Sequence, residues 1–157
     1  RTVMPQSPST LPLNEKTIPR TAIKRESGFY QKLKRVILSK KPRWILTRLE
    51  TWAMPGVPDL LVCDTAGDFH LIELKFTTSK VVALSPHQVS FMAKHKNASV
   101  WILVWKADRK GGGKQDIYLY HGKDAIDVRM EGLNIKPLYH ADGAKDWGDV
   151  LDLISKK

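Results

Sequence analysis

Residues 60–75 constrain the fold more than any other part of the chain. The apolar run Leu60-Leu61-Val62-Cys63 leads into Asp64-Thr65-Ala66-Gly67-Asp68 and then into Phe69–Lys75. Two β-prone runs around a short turn-forming cluster predict a hairpin. A lone hairpin is marginal in water, so other segments must cover it. The candidates are near in sequence. From Ala22 to Ser39, Ile23, Tyr30, Leu33 and Ile37 recur at helical spacing, with Phe29 and Val36 beside them. Lys40-Lys41-Pro42 ends that helix, because proline cannot continue the hydrogen-bond ladder.

The other elements follow from local signals. Trp44–Leu49 has strand composition, and Pro55-Gly56-Val57-Pro58-Asp59 is a turn. Residues 76–84 read as a loop. Ser85-Pro86 is a helix start, with serine as N-cap and proline at the first helical position, and that helix should run to about His95. Ser99–Lys106 is apolar enough for a central strand. Ala107–Lys114 is a basic loop around Gly111-Gly112-Gly113, and Asp116–Tyr120 is a further strand. A short helix over Asp124–Met130 and an edge strand over Asn134–Tyr139 are expected. A last helix, capped by Asp146, should carry Trp147, Val150, Leu151 and Ile154. The expected class is α/β, a mixed sheet flanked by helices.

At 157 residues and 42% hydrophobic, the chain suits one domain, residues 21–157. Its core is expected over about 22–120, with a C-terminal elaboration over 121–157. Residues 1–20, with Pro5, Pro8, Pro12 and Pro19, read as an extended basic arm. The single cysteine, Cys63, excludes an internal disulfide framework and a cysteine-based zinc site. Apolar runs are too short for a membrane span and no signal peptide is recognised, so a reducing, cytoplasmic setting is expected.

The net charge is +10, and it is uneven. Residues 1–50 hold twelve of the 26 bases and three of the 16 acids, which leaves the remaining 107 residues nearly neutral. Such a concentrated field attracts a polyanion, and nucleic acid is the leading partner. The plainer reading is solubility or weak binding to acidic lipid. Lys24, Arg25, Lys32, Lys34 and Arg35 lie mostly off the apolar stripe of the first helix and, with Lys40 and Lys41, are the candidate backbone contacts. Trp52, in a loop, is a candidate for base stacking. Lys106, Arg109, Lys110 and Lys114 around the glycines read equally as a DNA grip or as a solvated hairpin tip.

Chemistry concentrates at one end of the hairpin. Asp59 opens one strand, and Glu73 and Lys75 lie near the end of the next, two apart and so on one face. Leu74, Ile72 and Leu61 are expected to point into the core. Two carboxylates and a backbone carbonyl suit a hard divalent cation such as magnesium. A lysine beside them orients water or stabilises charge on phosphate. The plainer alternative is a surface hairpin with a Lys75–Asp59 salt bridge. Glu26 completes the stripe 23, 26, 30, 33, 37 as an acid on an apolar edge. By itself it reads as a surface carboxylate paired with Arg25 or a nearby lysine.

Gly56-Val57-Pro58-Asp59, Ile72-Glu73-Leu74-Lys75 and Leu84-Ser85-Pro86-His87-Gln88, in that order, resemble the PD-(D/E)XK nuclease superfamily. Within it they are most similar to the VRR-NUC branch and the archaeal-type Holliday junction resolvases. The resemblance covers roughly residues 22–106. It implies a restriction-endonuclease-like core and a Mg2+-dependent endodeoxyribonuclease in which Mn2+ substitutes. Asp59, Glu73, the Leu74 carbonyl and Glu26 would be metal ligands. Lys75 would be the catalytic lysine, and Gln88 would support the site. It further implies a homodimer. Four-way junctions are the expected substrate, in DNA recombination or repair, in a prokaryotic or phage-infected cell. Rival readings are a flap-, nick- or single-strand-selective nuclease, a non-catalytic DNA-binding module, and a basic RNA-binding or ribosome-associated protein.

Overall fold

The computed structural model describes residues 20–50, 54–108, 113–143 and 147–156, with side chains from Ser27 onward. The expected N-terminal arm up to residue 19, Trp52, Arg109, Lys110 and Asp146 therefore lie outside the described residues, as do the side chains of Lys24, Arg25 and Glu26.

In chain order the elements are α1 (Arg20–Lys40), β1 (Ile45–Arg48), β2 (Leu60–Cys63), β3 (Phe69–Thr77), α2 (Pro86–Lys94), β4 (Val100–Ala107), β5 (Gln115–His121), α3 (Ala125–Glu131), β6 (Tyr139–Asp142) and α4 (Gly148–Ser155). Single 3-10 turns, Gly122–Asp124 and Gly132–Asn134, flank α3. The six strands form one sheet in sequential order. β3 and β4 are parallel and every other pair is antiparallel. Only the parallel pair needs a crossover, and the segment carrying α2 supplies it.

Alternation along the strands builds two cores. On one face Leu60, Val62, Ile72, Leu74, Trp101 and Leu103 pack with Phe29, Leu33 and Ile37 of α1 and with Val150, Leu151 and Ile154 of α4. On the other, Val100, Ile102 and Val104 pack with Met92 of α2 and Ala125 and Val128 of α3. β4 is buried on both sides, which is why its sequence is a continuous apolar run. Leu61 differs from expectation. It pairs with Leu71 and is only half-buried, so Leu60, one residue earlier, takes the core position on the α1 face.

The last strand also differs. The sequence predicts pairing over Asn134–Tyr139, yet β6 begins at Tyr139. Gly132–Asn134 turns first, with the Leu133 amide donating to the Lys80 carbonyl, and Pro137 has no amide to give a ladder. The chain joins the edge of β5 only where the Leu138 amide meets the Leu119 carbonyl. Trp147 occupies the N-cap position of α4 without a side-chain cap. Among the described residues no helix is long and apolar enough to cross a membrane.

A buried polar relay ties the hairpin turn to the start of β4. Asp64 Oδ2 lies 2.7 Å from His70 Nε2, and His70 Nδ1 lies 2.5 Å from Ser99 Oγ. The Trp101 indole donates to the same oxygen. Asp64 also accepts the Ala66 and Asp68 amides, so one carboxylate closes the turn and anchors the histidine. The His70 hydrogen bond, followed by those two amides, holds the Asp64 carboxyl below its ordinary range against the opposing effect of burial.

Candidate functional site

The hairpin is longer on one side, and the site lies where the shorter side ends. The ladder between β2 and β3 stops at Leu60–Ile72, while β3 continues to Thr77. Asp59 directly precedes β2, so continuing the register sets it opposite Glu73. There the side chain replaces the missing strand: the Leu74 amide donates to Asp59 Oδ2 at 3.0 Å. The Asp59 carbonyl accepts the Leu49 amide at 2.7 Å, which fixes the backbone from the β1 side. In an extended strand the carbonyl of a residue projects from the same edge as its amide, so the Leu74 carbonyl also faces Asp59.

Glu73 is 1% exposed, on the α2 face of the sheet beside Ile102. A buried carboxylate needs compensation. Gln88 supplies part of it, because its side-chain nitrogen donates to Glu73 Oε1 at 2.7 Å. The oxygen of the same side chain accepts the Ser85 amide, and Ser85 Oγ accepts the Gln88 amide, completing a capping box. The box leaves the nitrogen of Gln88 directed at the sheet. Lys75 is half-buried on the same face of β3 as Glu73. No Lys75–Asp59 salt bridge forms, because Asp59 turns to the Leu74 amide.

Gly56 binds the two halves together. Its φ of +93° suits glycine, and a β-carbon there would collide with the His87 carbonyl at the start of α2. The turn that delivers Asp59 is thus seated on the helix that delivers Gln88.

Of the expected ligands, Asp59 lies against Leu74 and, by register, opposite Glu73 at the same strand end. Hard oxygen donors of this kind suit a hard divalent cation. Among the described residues, no group of three or more His, Cys, Asp or Glu side chains is arranged to hold a metal ion. Glu26 is on α1, and its side chain lies outside the described residues.

The expected cationic surface divides. Lys34, Arg35 and Lys40 are exposed. Lys32 is half-buried, its nitrogen 5.2 Å from the Trp105 ring centroid and 5.6 Å from that of Trp147. Burial, and secondarily Arg35, lowers its pKa. Lys32, Arg35, Val36, Ser39, Lys40 and Trp147 line a groove of about 290 Å³. Lys41 and Lys114 are ion-paired, to Asp152 at 2.6 Å and to Asp142 at 2.7 Å. The Asp142 hydrogen bond raises the pKa of Lys114.

Two residues that sequence reasoning passed over stand beside the site. Tyr30 and Arg48 line a small cleft with Asp59, Leu60 and Leu74. In the sequence Tyr30 stands out only as a stripe residue and Arg48 only as one of many bases, since nothing in spacing marks a contact between a helix and an edge strand. No protein-family model, curated protein or solved structure matches the chain.

Proposed function

We propose that the chain is a metal-dependent endodeoxyribonuclease with a restriction-endonuclease-like core that hydrolyses phosphodiester bonds in branched DNA, four-way junctions first among them. The observation that carries the reading is the placement of Asp59 and Glu73 at the same strand end, where β2 stops and β3 runs on, with Asp59 bonded to the Leu74 amide and Lys75 on the Glu73 face. Asp59, Glu73 and the Leu74 carbonyl would hold Mg2+ or Mn2+, with Glu26 as the further candidate from α1. Such a cation acidifies a bound water and neutralises phosphate charge. Asp59 is held in place by the Leu74 amide, Gln88 orients Glu73, and Lys75 offsets charge developing on the phosphate. The exposed bases of α1 supply affinity that ignores sequence. Two symmetric cuts in a junction call for a homodimer.

The test is a cleavage panel of labelled junctions, flaps, nicked and intact duplexes and single strands, with Mg2+, with Mn2+ and with chelator. Paired symmetric nicks in junctions that vanish with chelator support the proposal. Preferred cutting of flaps or single strands moves the substrate, and no cutting with either cation removes the activity.

A second reading is a DNA-binding module without catalysis. It makes the exposed bases of α1, Lys34, Arg35 and Lys40, the whole of the functional surface. It expects DNA binding without cleavage, unchanged in Asp59→Ala and Lys75→Ala. An RNA-binding role would appear as RNA outcompeting DNA at matched salt.

A further inference from the structure

Arg48 ends β1 at the edge of the sheet and is exposed, whereas Tyr30 is half-buried on α1. The guanidinium carbon of Arg48 lies over the Tyr30 ring, 4.8 Å from its centroid. The two residues form one wall of the cleft whose other walls are Asp59, Leu60 and Leu74. Among the described residues no acid lies within ion-pair distance of this guanidinium, although Asp59 lines the same cleft. Among the described residues, then, its charge is positioned by an aromatic ring and by no carboxylate ion pair.

The chemistry suits one ligand class. A guanidinium presents five donors in a planar fork that matches two oxygens of a phosphate. Holding it on a ring reduces the rotamer freedom it gives up on binding. The cleft measures about 40 Å³, too small for a nucleobase. A cation at this position also offsets the repulsion between Asp59 and an arriving phosphate.

We propose that Arg48, held by Tyr30, binds a phosphodiester of the DNA strand that crosses the Asp59 cleft, and so sets the register of that strand at the site. The proposal rests on the nuclease reading for the role of the cleft, and it adds a substrate-contacting residue to that reading.

The test is the affinity of the full chain for a short labelled DNA duplex in chelator, across a salt series. The proteins are wild type, Arg48→Ala, Arg48→Lys, Tyr30→Leu and Tyr30→Phe. Arg48→Ala should weaken binding roughly tenfold and flatten the slope of log K against log salt by about 0.9, the value for one neutralised phosphate. Arg48→Lys should keep the slope and recover only part of the affinity, because the fork is gone. Tyr30→Leu should weaken binding with every charge in place, and Tyr30→Phe should restore it. If Tyr30→Leu does not fold, the two Arg48 variants decide, since an exposed arginine is not needed for folding. In cleavage, Arg48→Ala should raise KM with kcat little changed.

An Arg48→Ala protein with wild-type affinity and slope overturns the proposal, whether or not the wild type cuts. A wild type that binds but fails to cut with Mg2+ or Mn2+ overturns the nuclease reading, while the slope still judges the Arg48 contact. A wild type that does not bind DNA overturns both.

Discussion

The side-chain amide of Gln88 is shared between two elements: its oxygen closes the N-cap of α2 and its nitrogen meets Glu73 on β3 at 2.7 Å. Helix start and site carboxylate are thus coupled through one residue. Gln88→Ala should cost about 1–3 kcal/mol, since it leaves a buried carboxylate short of a donor and half of a capping box undone. Gln88→Glu keeps an acceptor for the Ser85 amide but faces one carboxylate with another. Chemical denaturation should find both variants less stable than wild type. If Gln88→Glu matches wild type in stability and cleavage, the contact with Glu73 has no role.

Asp59 bonds to the Leu74 amide through one oxygen. Asp59→Asn can retain that bond through its amide oxygen while it loses the negative charge. The expected result is loss of cleavage with DNA affinity unchanged or slightly tighter. Wild-type cutting with Mg2+ in this variant would remove Asp59 from the site.

Gly56 combines a positive φ with close approach to His87. Gly56→Ala should therefore destabilise the fold by on the order of 1–3 kcal/mol, and it should lower cleavage beyond what the change in Tm explains by shifting Asp59 away from Gln88. A variant with unaltered Tm and activity would show that this seat is not needed.

Asp64 gives a pH dependence. Its folded pKa is lowered, first by the His70 hydrogen bond. A carboxyl lowered on folding stabilises the protein above its unfolded pKa of about 3.9, and that stability is lost as pH falls through the folded value. Asp64→Asn should be less stable than wild type at pH 7, and the gap should narrow below about pH 4. Urea midpoints across pH measure it; a gap that stays constant into acid would refute the linkage.

Lys34 and Arg35 are exposed on α1. Changing both to Ala should weaken binding to all DNA sequences alike and flatten the salt slope by about 0.9 for each phosphate that is no longer neutralised. An unaltered slope would take this part of α1 off the binding surface.

Much of the architecture is legible in the sequence because local chemistry wrote it. The limits of β2 follow from an apolar run ended by a turn, and α2 starts where Ser85-Pro86 places it. β4 can be read as central because it is apolar on both faces. The strand expected over Asn134–Tyr139 is misplaced, because apolar composition there hides the missing amide of Pro137 and the prior bond of Leu133 to Lys80. The Asp64–His70–Ser99 relay is also invisible: its partners are six and 29 residues apart, and no short-range pattern encodes such a meeting.

By itself the sequence determined which residue types were available and roughly where each element begins, since propensity, capping and alternation act over a few neighbours. Only the tertiary structure decided that β3 outruns β2, that Asp59 fills the gap at Leu74, that Gln88 reaches Glu73, and that Arg48 rests on Tyr30. These relations depend on strand register and on helices packed across a sheet, and such long-range geometry is fixed by burial of the whole core.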